Sequence, residues 1–392
     1  MKKRFSFPHK LKIVPGLITI FVFVLCVTGA WADGAKTKKT KTDPVEQLKK
    51  ELGLSVYLQG GFTGNLRGAD TNDWRVFDHS GNSFTLDLAE LQFLKAPTAG
   101  HVGYKLKLSA GETAKWIHAN GLGDTSQPFD LTEAYVNYVA PVGSGLTLQF
   151  GKFVTFTGEE VIEAGGNYNY SRSLLFNYAI PFTHTGFMAG YTFCPALSAN
   201  FYVLNGWDDE VDNNVGKTFG LSTTVTPSSN SSLVFNFLYG PEETNDNHDN
   251  RFLFDWVGSV SPANNLTLVL NTDYGWEKGS PSNPNGLNQD AKWYGAAAYV
   301  NYVFNSKWSG TIRAEELKDP QGFRTVSTLT PDPFPAGTGQ NLKEFTLTGQ
   351  YTLAKNLLLR PEYRHDWSNL DSFAKATRDQ QDTLALGVIY TW

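Results

Sequence analysis

The chain has 392 residues, of which 41% are hydrophobic, 14% aromatic and 18% charged, and its formal net charge at pH 7 is −5. This balance excludes a disordered chain, which carries more charge and fewer aromatic side chains. A mean hydropathy of −0.29 excludes a bundle of membrane-spanning helices. The 37 Gly, 27 Phe, 17 Tyr and 10 Trp residues, beside only 2 Cys, favour an all-β protein.

Residues 1–32 predict a cleaved signal peptide. They carry five of the 33 basic residues and no acid, and an apolar run at 17–27 follows the basic segment. That run is too short to cross a bilayer, and Ala30-Trp31-Ala32 has the pattern of a cleavage site. An uncleaved anchor is the alternative. The remaining chain has 28 basic and 38 acidic residues, a net charge of −10, which disfavours nucleic acid as a partner.

Residues 33–51 form a second unit, a Lys/Thr-rich arm. The segment DGAKTKKTKTDP is polar throughout, whereas VEQLKKEL is long enough for two helical turns. Neither part has an apolar face wide enough for a core. We therefore expect a flexible periplasmic arm, and a tether to the cell wall is the alternative interpretation of its basic run.

From residue 52 to residue 392, apolar residues recur at every second position in stretches of about ten. Near the C-terminus, for example, Leu384, Leu386, Val388 and Tyr390 share one face. The alternation predicts sixteen strands, uncertain by two, near 52–64, 83–94, 101–110, 130–140, 145–156, 182–193, 197–206, 217–226, 231–240, 251–261, 265–276, 291–304, 307–317, 342–353, 357–367 and 382–392.

A soluble β-sandwich would alternate in the same way, but three features favour a closed antiparallel transmembrane barrel. Aromatic residues such as Tyr274, Trp276 and Trp392 end the apolar faces, where girdles at the lipid–water interfaces would lie. Short connections alternate with long polar ones, as in barrels with periplasmic turns and extracellular loops. An unbroken series of strands that closes on itself also pairs every backbone group, as the bilayer requires, and sixteen strands leave an aqueous channel.

The lengths of the connections indicate which side of the membrane each rim of the barrel faces. We expect the turn at 227–230 to face the periplasm. The loops expected outside the cell are 207–216, 241–250, 277–290, 318–341 and 368–381.

The alternation slips at two places. It changes phase at Ala89-Glu90, and Lys152 falls on the lipid-facing parity beside Gly151. A β-bulge re-phases a strand, so we predict a bulge at each place.

The sequence contains no HExxH, CxxC, P-loop or G-x-S-x-G motif. His184 has the lumen-facing parity and is a candidate base for a barrel hydrolase, although a polar wall residue is the interpretation that we favour. The Asp/Asn-rich stretches at 208–214 and 245–250 offer oxygen ligands for divalent cations but lack the spacing of a calcium loop, so we interpret them as solvated. We expect no enzymatic activity, no cofactor and no metal.

Charged residues occupy the lumen-facing parity of three predicted strands. They are Lys105, Lys107, Arg313, Glu315, Arg360, Glu362 and Arg364. Each Arg or Lys would cost about 2–4 kcal/mol in lipid near the midplane, so we expect these side chains to face water. A charge ladder in which Arg360, Glu362 and Arg364 neutralise one another along the wall is the structural alternative, and both can hold together.

The connection at 157–181 is a candidate constriction loop. It combines the apolar run Leu174-Leu175-Phe176 with four charged residues. These are Glu159, Glu160, Glu163 and Arg172. A loop outside the barrel gains nothing from three consecutive apolar side chains, whereas burial on the inner wall stabilises each by about 1.5–3 kcal/mol.

We therefore expect this loop to fold into the lumen and to set its acids against Arg313, Arg360 and Arg364. Opposed charges across a narrow aqueous gap would create a transverse field that orients polar solutes. The alternative is that these arginines pair locally, with Glu315 and Glu362, while the loop only caps the rim.

The stretch from Gly151 to Gly186 resembles the hallmark segment of the putative beta-barrel porin-2 family, the OmpL-like barrels. The likeness rests on Gly151-Lys152-Phe153, Gly158-Glu159, Ser171-Arg172-Ser173 and the segment PFTHTG at 181–186. The ending LALGVIYTW also resembles the C-terminal recognition strand of outer-membrane proteins, although Trp392 stands where Phe is commoner.

This resemblance implies a porin in the outer membrane of a Gram-negative-type bacterium. Its partners would be outer-membrane lipid and lipopolysaccharide, the barrel-assembly machinery and the small polar solutes or ions that it passes. Monomer and homo-oligomer both stay open. A solute-selective channel is a second hypothesis, with Tyr168, Tyr170 and Phe176 as candidate aromatic rails, and a structural or adhesive barrel without transport is a third.

Overall fold

A computed structural model describes residues 44–124, 126–280, 289–325 and 338–392. Contacts divide the chain into a short unit, 1–46, and a large unit, 47–392. Helix α1 spans Pro44–Leu52, so the helical turns expected for this segment are confirmed. Within the large unit, Lys49 lies 3.8 Å from the ring centroid of Trp392. The predicted signal peptide and arm residues 33–43 lie outside the described residues.

Sixteen strands follow in the described part of the chain, and all sixteen were predicted, with ends that differ by a few residues. They are β1 Leu54–Asn65, β2 Ser83–Lys95, β3 Val102–Ala110, β4 Phe129–Ala140, β5 Leu146–Val154, β6 Thr183–Cys194, β7 Leu197–Leu204, β8 Thr218–Ser228, β9 Ser231–Pro241, β10 Asn250–Ala263, β11 Leu266–Ser280, β12 Gln289–Val303, β13 Trp308–Asp319, β14 Gln340–Ala354, β15 Leu357–Ser368 and β16 Gln380–Thr391.

The strands form one closed antiparallel barrel in which each strand pairs with its neighbours in sequence. β1 and β16 close the wall, with Gly60 opposite Val388 and Leu58 opposite Tyr390. Closure removes both sheet edges, so the backbone N–H and C=O groups pair within the wall and need no water at membrane depth.

The two faces of the wall follow the alternation in the sequence. On β16, Leu384, Leu386 and Val388 are 50%, 47% and 39% exposed, whereas Gln381 and Thr383 are 2% and 1% exposed. The apolar face therefore points outward to lipid and the polar face points inward. Aromatic side chains also meet at one rim, where the rings of the exposed Trp308 and the partly buried Tyr351 have centroids 4.6 Å apart.

Long and short connections alternate along the chain, as predicted. Within the described residues, the long connections at one rim are 66–82, 111–128, 155–182, 205–217, 242–249 and 369–379. Residues 281–288 and 326–337, in two further predicted loops, lie outside the described residues. The predicted loop 277–290 is shorter than expected, because β11 continues to Ser280 and β12 begins at Gln289. The long loop 111–128 carries helix α2, Glu112–Trp116. Neither described helix has the length and apolar character needed to span a bilayer.

One predicted bulge is confirmed nearby and the other is wrong. The register of β1 with β2 skips Asp87, two residues before Ala89, and this turns the Asp87 side chain inward. In contrast, β5 shows no register shift at Lys152: its pairing with β4 runs unbroken up to Lys152, and its pairing with β6 continues to Val154. Lys152 is nevertheless buried: the backbone turns at Gly151, where φ is +136°, and the ammonium donates to the carbonyl of Leu131 at 2.7 Å.

Candidate functional site

The loop between β5 and β6 lies inside the barrel. Its apolar run, Leu174, Leu175 and Phe176, is 1%, 0% and 2% exposed. The run leads into a π-helical turn, Leu175–Ala179, that packs against β11 and β12. Earlier in the loop, the N–H of Gly165 donates to the hydroxyl of Tyr57 on β1. The loop therefore crosses the lumen from β1 to the wall around β11 and β12.

Arg313 on β13 joins the loop to the wall. Its Nη1 donates to Glu160 Oε1 on the loop at 2.7 Å, and its Nε donates to Glu344 Oε1 on β14 at 2.8 Å. Glu315 is only a distant partner, at 3.9 Å, because its carboxylate accepts the backbone N–H groups of Leu174 and Leu175. Arg313 thus combines the predicted loop contact with a local one, although its local hydrogen-bonded partner is Glu344 and not Glu315.

Arg360 and Arg364 on β15 bind loop carbonyls and not loop acids. Arg360 Nη1 donates to the carbonyl of Asn169 at 3.0 Å, and Arg364 Nη1 donates to that of Arg172 at 2.6 Å. The expected opposition of these two arginines to the loop carboxylates is therefore wrong. The physical reason is that the irregular loop leaves many buried carbonyls without backbone partners, and guanidinium groups satisfy them.

The alternative, a ladder in which Arg360, Glu362 and Arg364 neutralise one another, is also not found: the described residues contain no ion pair among these three side chains. Glu362 instead accepts the backbone N–H groups of Tyr170 and Ser171, at 2.7 and 3.0 Å. The charged face of β15 is thus a cradle for the loop.

Lys105 and Lys107 on β3 face inward, as expected, and share Glu133 of β4, at 2.5 and 3.1 Å. Lys107 also binds the loop carboxylate of Glu163. Burial alone would raise the pKa of Glu163, but the Lys107 ammonium outweighs burial and holds that pKa below its usual value. Glu163 is therefore charged and neutralised by its partner.

Glu159 is the loop acid without a cationic partner. Its side chain is half-buried and makes no hydrogen bond within the described residues, although its backbone N–H donates to Asn271. The preceding residue, Gly158, donates its N–H to Asp255 on β10 at 3.0 Å. Burial, with Glu160 and Asp255 nearby, raises the pKa of Glu159 to about 7.

Arg172 supports the loop from within and does not face an opening. It is 1% exposed, and its guanidinium donates to the loop carbonyls of Tyr170, Val161 and Ile162. The guanidinium carbon lies 4.8 Å from the ring centroid of Phe77.

His184 is a wall residue at the start of β6. It is 1% exposed, with its ring nitrogens 3.0 Å from the carbonyl of Gly206 and 3.2 Å from the hydroxyl of Thr155. No described carboxylate hydrogen-bonds the ring, so the orienting acid of a hydrolase triad is missing from the described residues.

Tyr170 forms a loop anchor that sequence reasoning missed. Its hydroxyl donates to Asp87 Oδ2 at 2.5 Å. The side chain lies over Gly61 and Gly387, where an added Cβ would come within 2.3 Å of its hydroxyl oxygen and 2.4 Å of its ring, respectively. The available signals were the glycines on neighbouring strands β1 and β16, since glycine within a strand often marks a close approach.

Two of the three aromatic residues proposed as rails for a selective channel are buried and do not line an opening. Tyr170 is 2% exposed and Phe176 is 2% exposed, so both are packing residues. Tyr168 is half-buried, with its ring 6.4 Å from that of Tyr299.

A second loop, 66–82, also folds inward and was not expected to. Phe77 lies 5.6 Å from the ring of Phe176 and 5.5 Å from that of Phe182. Arg75 is 1% exposed and binds Asp366 of β15 at 2.6 Å. The signal was three apolar residues within a polar loop, Trp74, Val76 and Phe77, which resembles the signal of Leu174-Leu175-Phe176 except that Arg75 interrupts it.

The loop 157–181 contributes to two cavities at different depths of the barrel. A cavity of about 650 Å³ at the short-turn end is lined by Glu163 together with Tyr57, Lys355 and Trp392. A cavity of about 360 Å³ at the long-loop end is lined by Tyr178 and Ile180 of the loop, among others. Within the described residues, no three His, Cys, Asp or Glu side chains come together as a metal-binding group.

This architecture defines a class, the sixteen-stranded transmembrane barrels with long loops at one rim and a loop folded into the lumen. The chain matches the family described as putative beta-barrel porin-2, OmpL-like, over residues 51–392, and it belongs to that family. The resemblance found in the sequence is therefore confirmed. No curated protein sequence matches the chain.

Solved outer-membrane barrels share the fold at low sequence identity. The anion-selective porin from Comamonas acidovorans is 9% identical, with a TM-score of 0.58 over 86% of this chain and 98% of that porin. OprB of Pseudomonas putida is 11% identical, with a TM-score of 0.57 over 89% of this chain and 96% of OprB. The channel DcaP of Acinetobacter baumannii is 13% identical, with a TM-score of 0.56 over 86% and 96% of the two chains. With the family match, the barrel identifies an outer-membrane porin.

Proposed function

We propose that this porin forms a water-filled channel for passive diffusion of small polar solutes or ions, and that loop 157–181 is its constriction. The observation that carries the proposal is the course of the loop, which crosses the lumen between two cavities. Its apolar run is buried against the wall, while Glu159 and Glu163 stay partly accessible.

The charges around the loop support a transverse field. The carboxylate of Asp255 faces inward on β10, close to Glu159, whereas guanidinium groups face inward on β13 and β15. A separation of charge across a narrow aqueous gap orients polar solutes and disfavours apolar ones. A passive channel needs no catalytic group and no cofactor, and we propose neither.

Export and assembly complete the proposal. The signal peptide 1–32 would be cleaved, the arm at 33–51 would lie in the periplasm, and the barrel would begin at residue 52. The assembly machinery would recognise the C-terminal strand ending in Trp392. The apolar outer face would contact outer-membrane lipid and lipopolysaccharide, in a single barrel or a homo-oligomer of barrels.

Conductance in planar bilayers tests the proposal. The purified barrel should conduct, and a variant with residues 160–178 replaced by a short Gly/Ser linker should conduct several-fold more, because the lumen would be wider. Replacing both Glu159 and Glu163 by Gln should shift the reversal potential in a salt gradient toward anions. This double variant keeps Glu160, because the loss of Glu160 would leave Arg313 short of a partner.

Asp371→Asn is the matched control for charge, since Asp371 is exposed in the loop 369–379. It should leave the reversal potential unchanged. A barrel that does not conduct would refute the channel, and equal conductance with and without the loop would refute the constriction.

A further inference from the structure

The cavity at the long-loop end has an aromatic wall and an arginine with unused donors. Its volume is about 360 Å³, and its lining includes Trp116, Ile180, Phe182, Trp207, Phe323 and Arg324. Polar and charged residues make up the rest of the lining, among them His118, Asn120 and Asn213. The volume lies in the range of pockets that bind small organic molecules.

Arg324 is held in place by aromatic rings and by one hydrogen bond. Its guanidinium carbon lies 5.0 Å from the ring centroid of Trp207 and 5.7 Å from that of Trp293. Its Nε donates to the carbonyl of Tyr178 on the loop at 2.7 Å. Within the described residues, its two terminal nitrogens have neither a hydrogen-bond acceptor nor an ion-pair partner. A guanidinium fixed in this way presents a planar fork of donors.

The second arginine of the cavity, Arg251, is already neutralised. Its Nε donates to Glu277, and its Nη2 lies 4.0 Å from Glu243. Its guanidinium carbon also lies over two aromatic rings, 4.8 Å from the ring centroid of Trp207 and 5.3 Å from that of Phe323. Arg324 is therefore the arginine of this cavity that has no ion-pair partner within the described residues, although Asp208, Asp319 and Glu277 lie near enough to favour its charged form.

The acids of the cavity compensate Arg324 poorly. Asp208 turns Oδ1 to the backbone N–H groups of Phe182 and Thr183, at 2.8 and 2.7 Å. Burial raises the pKa of Glu242 to about 8 and that of Asp209 to about 6, so Glu242 is mostly neutral at pH 7. In agreement, burial and the neighbouring Arg251 lower the pKa of Arg324 to about 10.

We infer that this cavity is a binding site for a small organic monoanion, a carboxylate on an aromatic or apolar body, with the carboxylate on Arg324 and the body against Phe323 and Trp116, the partly exposed rings of the lining. One unpartnered guanidinium matches one carboxylate. The nearby acids would repel a dianion, and the two partly exposed rings can stack on a planar apolar body. The inference rests on the proposed function, because a site at the mouth would select solutes for the channel.

Ligand-observed NMR titration of the folded protein in detergent tests the inference directly. Benzoate is the probe, and benzyl alcohol and acetate test the carboxylate and the ring separately. We expect benzoate to bind at least about tenfold more tightly than either comparison compound. Arg324→Gln should weaken benzoate binding about tenfold or more, and Arg324→Lys should restore part of it, since charge returns without the fork.

Arg378→Gln is the matched control, because it removes one arginine from another loop of the same rim. It should bind benzoate like the unmodified protein. Equal binding by Arg324→Gln, or equal binding of benzoate and benzyl alcohol, would overturn the inference. This measurement does not depend on conduction, so its failure is distinguishable from a failure of the channel in planar bilayers.

Discussion

Buried charges hold the loop in the lumen residue by residue. Arg313, Arg360 and Arg364 are 0%, 2% and 0% exposed, and each donates to the loop. If the loop left the lumen, water would have to enter and solvate these groups. Otherwise they would stay buried without partners, which costs several kcal/mol for each ion. The wall and the loop therefore stabilise each other.

Arg313→Met should destabilise the barrel by about 3–5 kcal/mol, because Glu160 and Glu344 would be left buried without their cation. The free energy of unfolding in denaturant titrations of the refolded barrel measures the loss. Lys343→Met is the matched control: its partner Glu316 is 3.5 Å away, and both side chains are 38% exposed. An exposed pair contributes about 0–1 kcal/mol, so similar losses in the two variants would contradict the prediction.

Glu159 should make ion selectivity depend on pH. Its pKa is raised to about 7, so the carboxylate is charged above that pH and neutral below it. Preference for cations should therefore be greatest near pH 8 and should fall as the pH passes through 7 toward 6. Reversal potentials in a salt gradient across this range measure the change. Glu159→Gln should abolish the step near pH 7, and a step that persists in this variant would assign it to another group.

The sequence predicts the strands well, but it predicts the loop in the lumen only in part. The strands were predictable because lipid on one side and water on the other impose an alternation with period 2 on every strand. The burial of Leu174-Leu175-Phe176 could be expected from three apolar residues in a polar loop. The partners of the loop could not be predicted, because they depend on which distant strands face each other across the lumen. Hence Arg360 and Arg364 were placed correctly on the inner face, but their carbonyl partners were missed.

The glycines beneath Tyr170 should control how closely the loop packs on the wall. An added Cβ at Gly387 would lie 2.4 Å from the Tyr170 ring, so Gly387→Ala should displace the ring and break its hydrogen bond to Asp87. We expect a more loosely held loop, seen as higher and noisier single-channel conductance, and a stability loss of about 1–3 kcal/mol.

Gly349→Ala on β14 is the control for this substitution. The nearest atom to its added Cβ would be Pro361 Cγ at 3.5 Å, an ordinary contact. Its conductance and noise should match those of the unmodified barrel. If the two alanine variants behave alike, the close approach of Tyr170 does not hold the loop.

At the scale of the whole molecule, the barrel has two unlike rims. Long loops and an aromatic cavity lie at one, and short turns lie at the other. Barrels of this kind keep their short turns in the periplasm. This orientation places the Arg324 cavity at the entrance from outside and the cavity beside Trp392 at the exit, so solutes would meet the aromatic cavity before the loop.

Cysteine labelling on intact cells tests that orientation, and the chain supplies its own reference thiol. Cys194 is exposed at the end of β6, beside the short turn to β7, so a membrane-impermeant maleimide should reach it only after the outer membrane is permeabilised. Thr244 is exposed in the long loop between β9 and β10, and Thr244→Cys in a Cys194→Ser background should label on intact cells. The two thiols lie at opposite rims, so a single orientation of the barrel cannot expose both to the outside. Labelling of Cys194 on intact cells, with Thr244→Cys protected until permeabilisation, would reverse the orientation and move the aromatic cavity to the periplasmic side.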